Sequence, residues 1–217
     1  MPRLFVLPVA FVLACGLAAA ARSDEKDDKP IKLFNGRNLD GWTFHTPDKS
    51  AKTEDVWSVN KGVLACQGKP AGYLRTEDDY TNYVLKLQWR FDPDKGAGNS
   101  GVLLRMVGED KVWPKSIEAQ LHSGNAGDFW NIDMFEMTVD EDRTEGRRTK
   151  KLKESNEKPL GEWNQYEITV EGGAVRLVVN GELQNEATDC EEIAGKICLQ
   201  SEGSYIEFRN IELTPLE

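Results

Sequence analysis

Apolar residues that recur with a period of two constrain this chain more than any other feature. From position 83 to 91, Tyr83, Leu85, Leu87, Trp89 and Phe91 fall on one side of an extended chain, with Lys86, Gln88 and Arg90 on the other. That spacing suits a half-buried strand and suits a helix worse. Similar runs recur at 31–34, 57–66, 72–76, 163–170, 174–179, 182–187, 196–200 and 205–213, separated by turn formers such as Asn60-Lys61-Gly62 and Asn180-Gly181. No amphipathic stretch of ten or more residues has helical spacing. The expected fold is therefore all-β, a sandwich or jelly roll of two antiparallel sheets with little or no helix, formed by residues 31–217 as a single domain. Residues 132–139 read as a further strand and 140–158 as a charged excursion over the surface. Within that excursion, Arg147-Arg148-Thr149-Lys150-Lys151 reads as a solvated loop.

The N-terminus is read differently. Met1-Pro2-Arg3, an apolar run from Leu4 to Ala14 and the small-residue stretch up to Ala21 form an export signal cleaved after Ala21. Val12-Leu13-Ala14-Cys15 also matches a bacterial lipobox, so a lipid anchor on Cys15 is the alternative route of processing. A membrane helix is disfavoured, because Pro8 and Gly16 interrupt an already short run. Residues 22–30 are charged and lack apolar anchors, which makes them a tether. The chain is accordingly expected outside the cytoplasm, periplasmic or extracellular. In that compartment Cys66, Cys190 and Cys198 allow one disulfide and leave one thiol, with the pairing open.

Composition then removes whole classes of function. A net charge of −10 argues against nucleic acid as a partner, since phosphate binding needs a basic face. Two histidines and no CxxC spacing exclude a His-rich or zinc-type metal site, although oxygen ligands for a divalent cation are not excluded. Residues 96–101, Gly-Ala-Gly-Asn-Ser-Gly, match GxGxxG letter for letter. A strand follows them where a dinucleotide site needs a helix N-terminus, so they are read as a tight loop.

Residues 99–122 offer the best floor for a site. Asn99, Gly101, Leu103 and Arg105 share one face of the first run, while Ser100, Val102, Leu104 and Met106 share the other. In the second run Glu118, Gln120 and His122 lie opposite Ile117, Ala119 and Leu121. Trp113, in the connecting loop, is placed to stack on a sugar ring. Phe129 and Trp130 end the next loop, either as cleft wall or as core; core is the preferred reading of the pair, and Trp130 and Tyr73 are kept as candidate sugar contacts.

Six segments then carry a resemblance: Leu33-Phe-Asn-Gly-Arg-Asn-Leu-Asp-Gly-Trp42, Asn99-Ser-Gly-Val-Leu-Leu-Arg105, Glu118-Ala-Gln120, Glu157-Lys-Pro-Leu-Gly-Glu-Trp-Asn164, Val179-Asn-Gly181 and Ile206-Glu-Phe-Arg-Asn-Ile211. Together, over about residues 31–215, they resemble the 3-keto-disaccharide hydrolase domain family, long catalogued as a domain of unknown function. The resemblance implies a concanavalin A-like lectin/glucanase sandwich, an exported protein and action on 3-keto-glycosides. The chain lacks the Glu-x-Asp-x-x-Glu strand of retaining glucanases, which disfavours direct displacement between two carboxylates. An elimination followed by hydration is expected instead. Glu118 is then the base, Arg105 with Asn99 or Gln120 holds the oxyanion, and His122 donates a proton or orients a group. Two alternatives stay open: a divalent cation held by Glu118 and Gln120 that polarises the ketone, and a non-catalytic carbohydrate-binding module.

Overall fold

A computed structural model describes residues 29–217. The export signal, the Cys15 lipobox and most of the tether lie outside the described residues. In chain order the strands are β1 (Ile31–Lys32), β2 (Trp42–His45), β3 (Trp57–Asn60), β4 (Val63–Cys66), β5 (Gly72–Thr76), β6 (Tyr83–Arg90), β7 (Gly101–Val107) and β8 (Lys115–Gln120). They continue as β9 (Phe129–Ile132), β10 (Thr144–Glu145), β11 (Arg148–Thr149), β12 (Asn164–Glu171), β13 (Ala174–Val179), β14 (Glu182–Ala187), β15 (Lys196–Ser201) and β16 (Ile206–Pro215). Among the described residues helix is confined to Thr53–Val56 and a 3₁₀ turn at Glu141–Arg143.

The strands form two eight-stranded antiparallel sheets. One runs β14-β13-β12-β6-β16-β4-β3, with β1 added along β16; the other runs β10-β11-β9-β8-β7-β15-β5-β2. The alternation in β6 is realised: Tyr83, Leu85, Leu87 and Trp89 are buried while the residues between them reach the surface. They meet Val102, Leu104, Ile117, Ala119, Phe129, Ile197 and Leu199 of the second sheet in one core. Each fully buried large aliphatic or aromatic side chain adds roughly 1.5–3 kcal/mol, so this layer fixes which face of each strand turns outward.

Several local expectations change. At the β3–β4 turn Lys61 (φ 48°) and Gly62 (φ 80°) take the left-handed conformation, not Asn60; Asn180 and Gly181 make the matching β13–β14 turn. The strand expected over 132–139 ends at Ile132, because Asp133 and Met134 both adopt positive φ and break the ladder. The stretch 140–158 is not structureless: β10 and β11 form a small hairpin that pairs with β9 and extends the second sheet. Cys66, Cys190 and Cys198 are all free and buried, so the disulfide that the compartment would allow is not formed. Cys66 sits in β4 and Cys198 in β15, in opposite sheets.

Candidate active site

The outer face of the β8–β7–β15 region is built by register. Gly101 pairs with Gln120, Leu103 with Glu118, and Glu118 with Trp130, so these residues share the face turned away from the core. Glu118 and Gln120 are almost fully buried there. Gly101 is what lets them crowd together: a Cβ at that position would fall 2.3 Å from Gln200 Oε1 and 2.6 Å from Glu118 Oε1.

Two adjoining compartments open on this face. The first, of about 280 Å³, is lined by Asn99, Trp113, Glu118, Gln120, Trp130, Ile132, Arg147 and Glu202. The second, of about 190 Å³, shares Asn99, Gln120 and Trp130 and adds His122, Asn125, Asp128 and Arg148. Unsatisfied polar atoms gather in the wall of the first and in Gln200, which packs with Glu118 against Gly101. Asn99 Oδ1, Glu118 Oε1, both polar atoms of the Gln200 amide and Glu202 Oε2 are buried without a hydrogen-bond partner. Buried polar groups are otherwise nearly always paired, and each orphan costs about 1–3 kcal/mol. Such a cluster suits a ligand rich in hydroxyl and carbonyl groups.

Burial pushes the Glu118 carboxyl up to about 8, and the neighbouring Glu202 carboxylate adds to the shift. The Gln200 amide and Arg147 pull the other way, although no Glu118–Gln200 pair closes to hydrogen-bond geometry. Burial alone raises Glu202 to about 6. At pH 7 the free protein therefore presents a mostly neutral Glu118 beside a mostly ionised Glu202. Two carboxyl groups held apart in this way can give and take protons at one pH. Glu118 was expected as the base; its burial favours the protonated form instead.

Arg105 corrects the expectation most sharply. A β-bulge shifts the register between Leu104 and Val107, and Arg105 itself has φ 49°. Gly195 permits it, since a Cβ there would lie 2.6 Å from the Arg105 carbonyl carbon. The bulge reverses the parity of the strand, so Met106 joins Leu103 on the outer face and Arg105 turns inward. Its guanidinium donates to the carbonyl oxygens of Glu191 (2.7 Å), Gly172 (2.7 Å) and Thr81 (3.3 Å). It locks loops together and does not line the cleft.

The cleft has another cation. The β10–β11 hairpin, missed as structure in the sequence, carries Arg147 to the cleft wall, where its guanidinium lies 5.7 Å from the Trp130 ring centroid. Arg148 is fixed by the buried Asp128 at 2.6 Å and by Asn125 at 2.9 Å; Asn125 in turn meets His122 Nδ1 at 2.8 Å. The basic cluster taken for a solvated loop thus supplies one arginine to each compartment. Glu202 was also missed; it follows β15, at the end of a run read only as strand.

The remaining expected contacts divide. Asn99, Gln120, Trp113, Trp130 and His122 line the compartments, with Trp113 44% exposed and Phe129 in the core. Tyr73 does not. It shares the sheet face but is fully buried, its hydroxyl donating to Asp110 at 2.9 Å and its ring stacked on His45. The Glu118–Gln120 pair does not fit a divalent cation, because Gln120 Oε1 already accepts from the backbone N–H groups of Leu121 and His122. Among the described residues no three His, Cys, Asp or Glu side chains converge as a ligand set.

Residues 29–214 match the model of the 3-keto-alpha-glucoside-1,2-lyase-like domain. The chain belongs to that family. A curated relative, the 3-keto-disaccharide hydrolase of Bacteroides thetaiotaomicron, is 26% identical over 166 residues. The match covers 68% of this chain and 54% of the relative, so the chain spans about half the length of that protein. A candidate glycosyl hydrolase from Parabacteroides distasonis superimposes with a TM-score of 0.63 at 22% identity, covering 88% of this chain and 95% of that one. A β-glucanase of Bacillus licheniformis gives 0.60 at 13% identity, over 85% and 97%. The lyase-like domain thus has the concanavalin-like jelly-roll fold, as its family segments implied.

Proposed function

We propose that this domain cleaves 3-keto-glycosides by elimination and hydration in the cleft above β7 and β8. The observation that carries the reading is the buried, unpartnered Glu118 carboxyl beside Glu202 in a sugar-sized compartment. A ketone at the third carbon acidifies the C–H at the second. The ionised Glu202 removes that proton, and the electron pair forms an enolate whose oxygen faces Arg147 and the Asn99 and Gln120 side chains. The enolate collapses to a double bond between the first and second carbons, the glycosidic C–O bond breaks, and neutral Glu118 protonates the departing oxygen. Water then adds to the first carbon. Glu118, now a carboxylate, takes the water's proton, and Glu202 returns a proton to the second carbon, so both groups end as they began and the net reaction is hydrolysis.

The aglycone occupies the second compartment, where the His122–Asn125–Arg148–Asp128 chain holds His122 as a hydroxyl partner rather than a catalytic group. Trp113 and Trp130 supply the ring faces that sugars pack against. Replacing Glu118 by Gln lowers turnover of a 3-keto-disaccharide by about 10²-fold or more in this scheme. Unchanged turnover removes Glu118 from the chemistry, and calorimetric binding of plain glucans with no keto-glycoside cleavage favours a binding module. We also propose that the protein works outside the cytoplasm, as residues 1–21 suggest.

A further inference from the structure

The connection between β7 and β8, residues 108–114, does not run on beyond the sheet. Its Asp110 stands three positions past the end of β7 at Val107, yet its carboxylate accepts from Tyr73 Oη at 2.9 Å and from Arg75 Nε at 3.0 Å. Register places Arg75 beside Cys198 and Cys198 beside Leu103, four positions back along β7. These side-chain contacts hold the loop against the outer face of its own sheet, over β5 and β15. A second anchor, Lys111 Nζ to Asp133 Oδ2 at 2.6 Å, ties it to the end of β9.

Burial beneath the loop agrees. Tyr73, Leu103, Met106, Ile132 and Cys198 form a separate apolar cluster on this outer face, each 0–3% exposed. An outer sheet face carrying a polar cleft would ordinarily leave such residues wet. Where the loop returns to β8, Trp113 becomes a wall of the Glu118 compartment. The depression on the loop's other side, floored by Met106 and lined by Arg75 and Lys196, is a separate hollow of about 230 Å³ that shares no residue with the cleft. The groove along the sheet is thus divided at the loop: the Glu118 compartment meets a dead end on the loop side and shares its lining with the compartment toward His122 and Arg148.

We propose that residues 108–114 act as a plug that restricts the domain to a keto sugar at the terminal, non-reducing position of a small glycoside, with internal units of a longer chain excluded. This rests on the function proposed above. The keto ring fills the dead end, so a further sugar on its far side collides with Trp113 and the loop. A longer aglycone extends past His122 without hindrance.

The test compares a 3-keto-disaccharide with the trisaccharide in which the keto ring carries an extra sugar at its sixth carbon. Wild-type kcat/KM is expected to fall by about 10²-fold or more on the trisaccharide, the scale of a ring that cannot enter. Asp110→Ala, which frees the loop from Tyr73 and Arg75, restores at least about tenfold of that loss while leaving the disaccharide within about threefold. Should that variant fold poorly, Lys111→Ala releases the surface anchor instead and shifts the ratio in the same direction. Equal turnover of both substrates by the wild type, or a ratio that neither variant moves, overturns the plug and leaves the proposed reaction standing. Cleavage of neither substrate overturns the reaction and the plug together.

Discussion

Glu118 makes the stability of this domain depend on pH in an unusual direction. In the unfolded chain its carboxyl titrates near 4.5; in the fold, burial and the charge of Glu202 raise it to about 8. Between those values the folded state binds the proton and the unfolded state does not. The contribution of Glu118 is therefore most favourable below the unfolded value, declines as pH rises through the window, and is fully lost above 8. At about 1.4 kcal/mol per unit the loss approaches roughly 5 kcal/mol, a large share of the net stability of a domain this size. Glu118 is only 4% exposed, so little of this is screened by solvent. Glu118→Gln keeps the shape and removes the titration. Urea unfolding at pH 5, 7 and 9 should show the variant gaining on the wild type as pH rises, by roughly 3–5 kcal/mol across the range. Parallel curves for the two proteins would refute the idea that this carboxyl is desolvated and unpaired.

Other perturbations separate site from scaffold. Arg147→Ala should lower kcat by about 10²-fold through loss of oxyanion stabilisation, while its unfolding free energy stays within about 0.5 kcal/mol of the wild type; steady-state kinetics and denaturation read both. Arg105→Met should do the reverse, costing roughly 3 kcal/mol because three carbonyl oxygens lose a charged donor, with kcat per folded molecule retained. Gly101→Ala drives a methyl into Glu118 and Gln200 and should cost about 1–3 kcal/mol in stability together with most of the activity. Trp130→Ala removes a ring face and the seat of Arg147, so KM for the keto-disaccharide should rise about tenfold, measured by initial rates.

What the sequence disclosed depended on whether neighbouring residues determined the outcome. The alternation in β6 and the turn chemistry at Asn180-Gly181 were local, and both strand and hairpin formed as read. The shared face of Glu118 and Gln120 followed from the period of two alone, whereas Trp130, whose pair with Phe129 was read first as core, joins it through its register with Glu118. Arg105 was misplaced because one inserted residue reverses parity, and the bulge depends on Gly195, ninety positions away in the chain. Arg147 and Glu202 were invisible for a related reason: each lies at a strand end whose neighbours in space come from β9 or β7, so no spacing along the chain joins them to Glu118. Some family segments proved structural. The Trp42 indole donates to the Leu33 carbonyl at 2.6 Å, and Asn164 Oδ1 accepts from the Lys158 backbone and the Asn180 side chain, so these residues hold turns and take no part in the cleft.

The most direct measurement of the proposed chemistry is whether cleavage needs the ketone. The account predicts that a disaccharide identical but for a hydroxyl at the third carbon is cleaved at least about 10²-fold more slowly than the 3-keto-disaccharide, because its second carbon carries no acidified hydrogen for Glu202 to remove. Comparable cleavage of the two would contradict elimination and leave displacement at the first carbon as the reaction of this cleft.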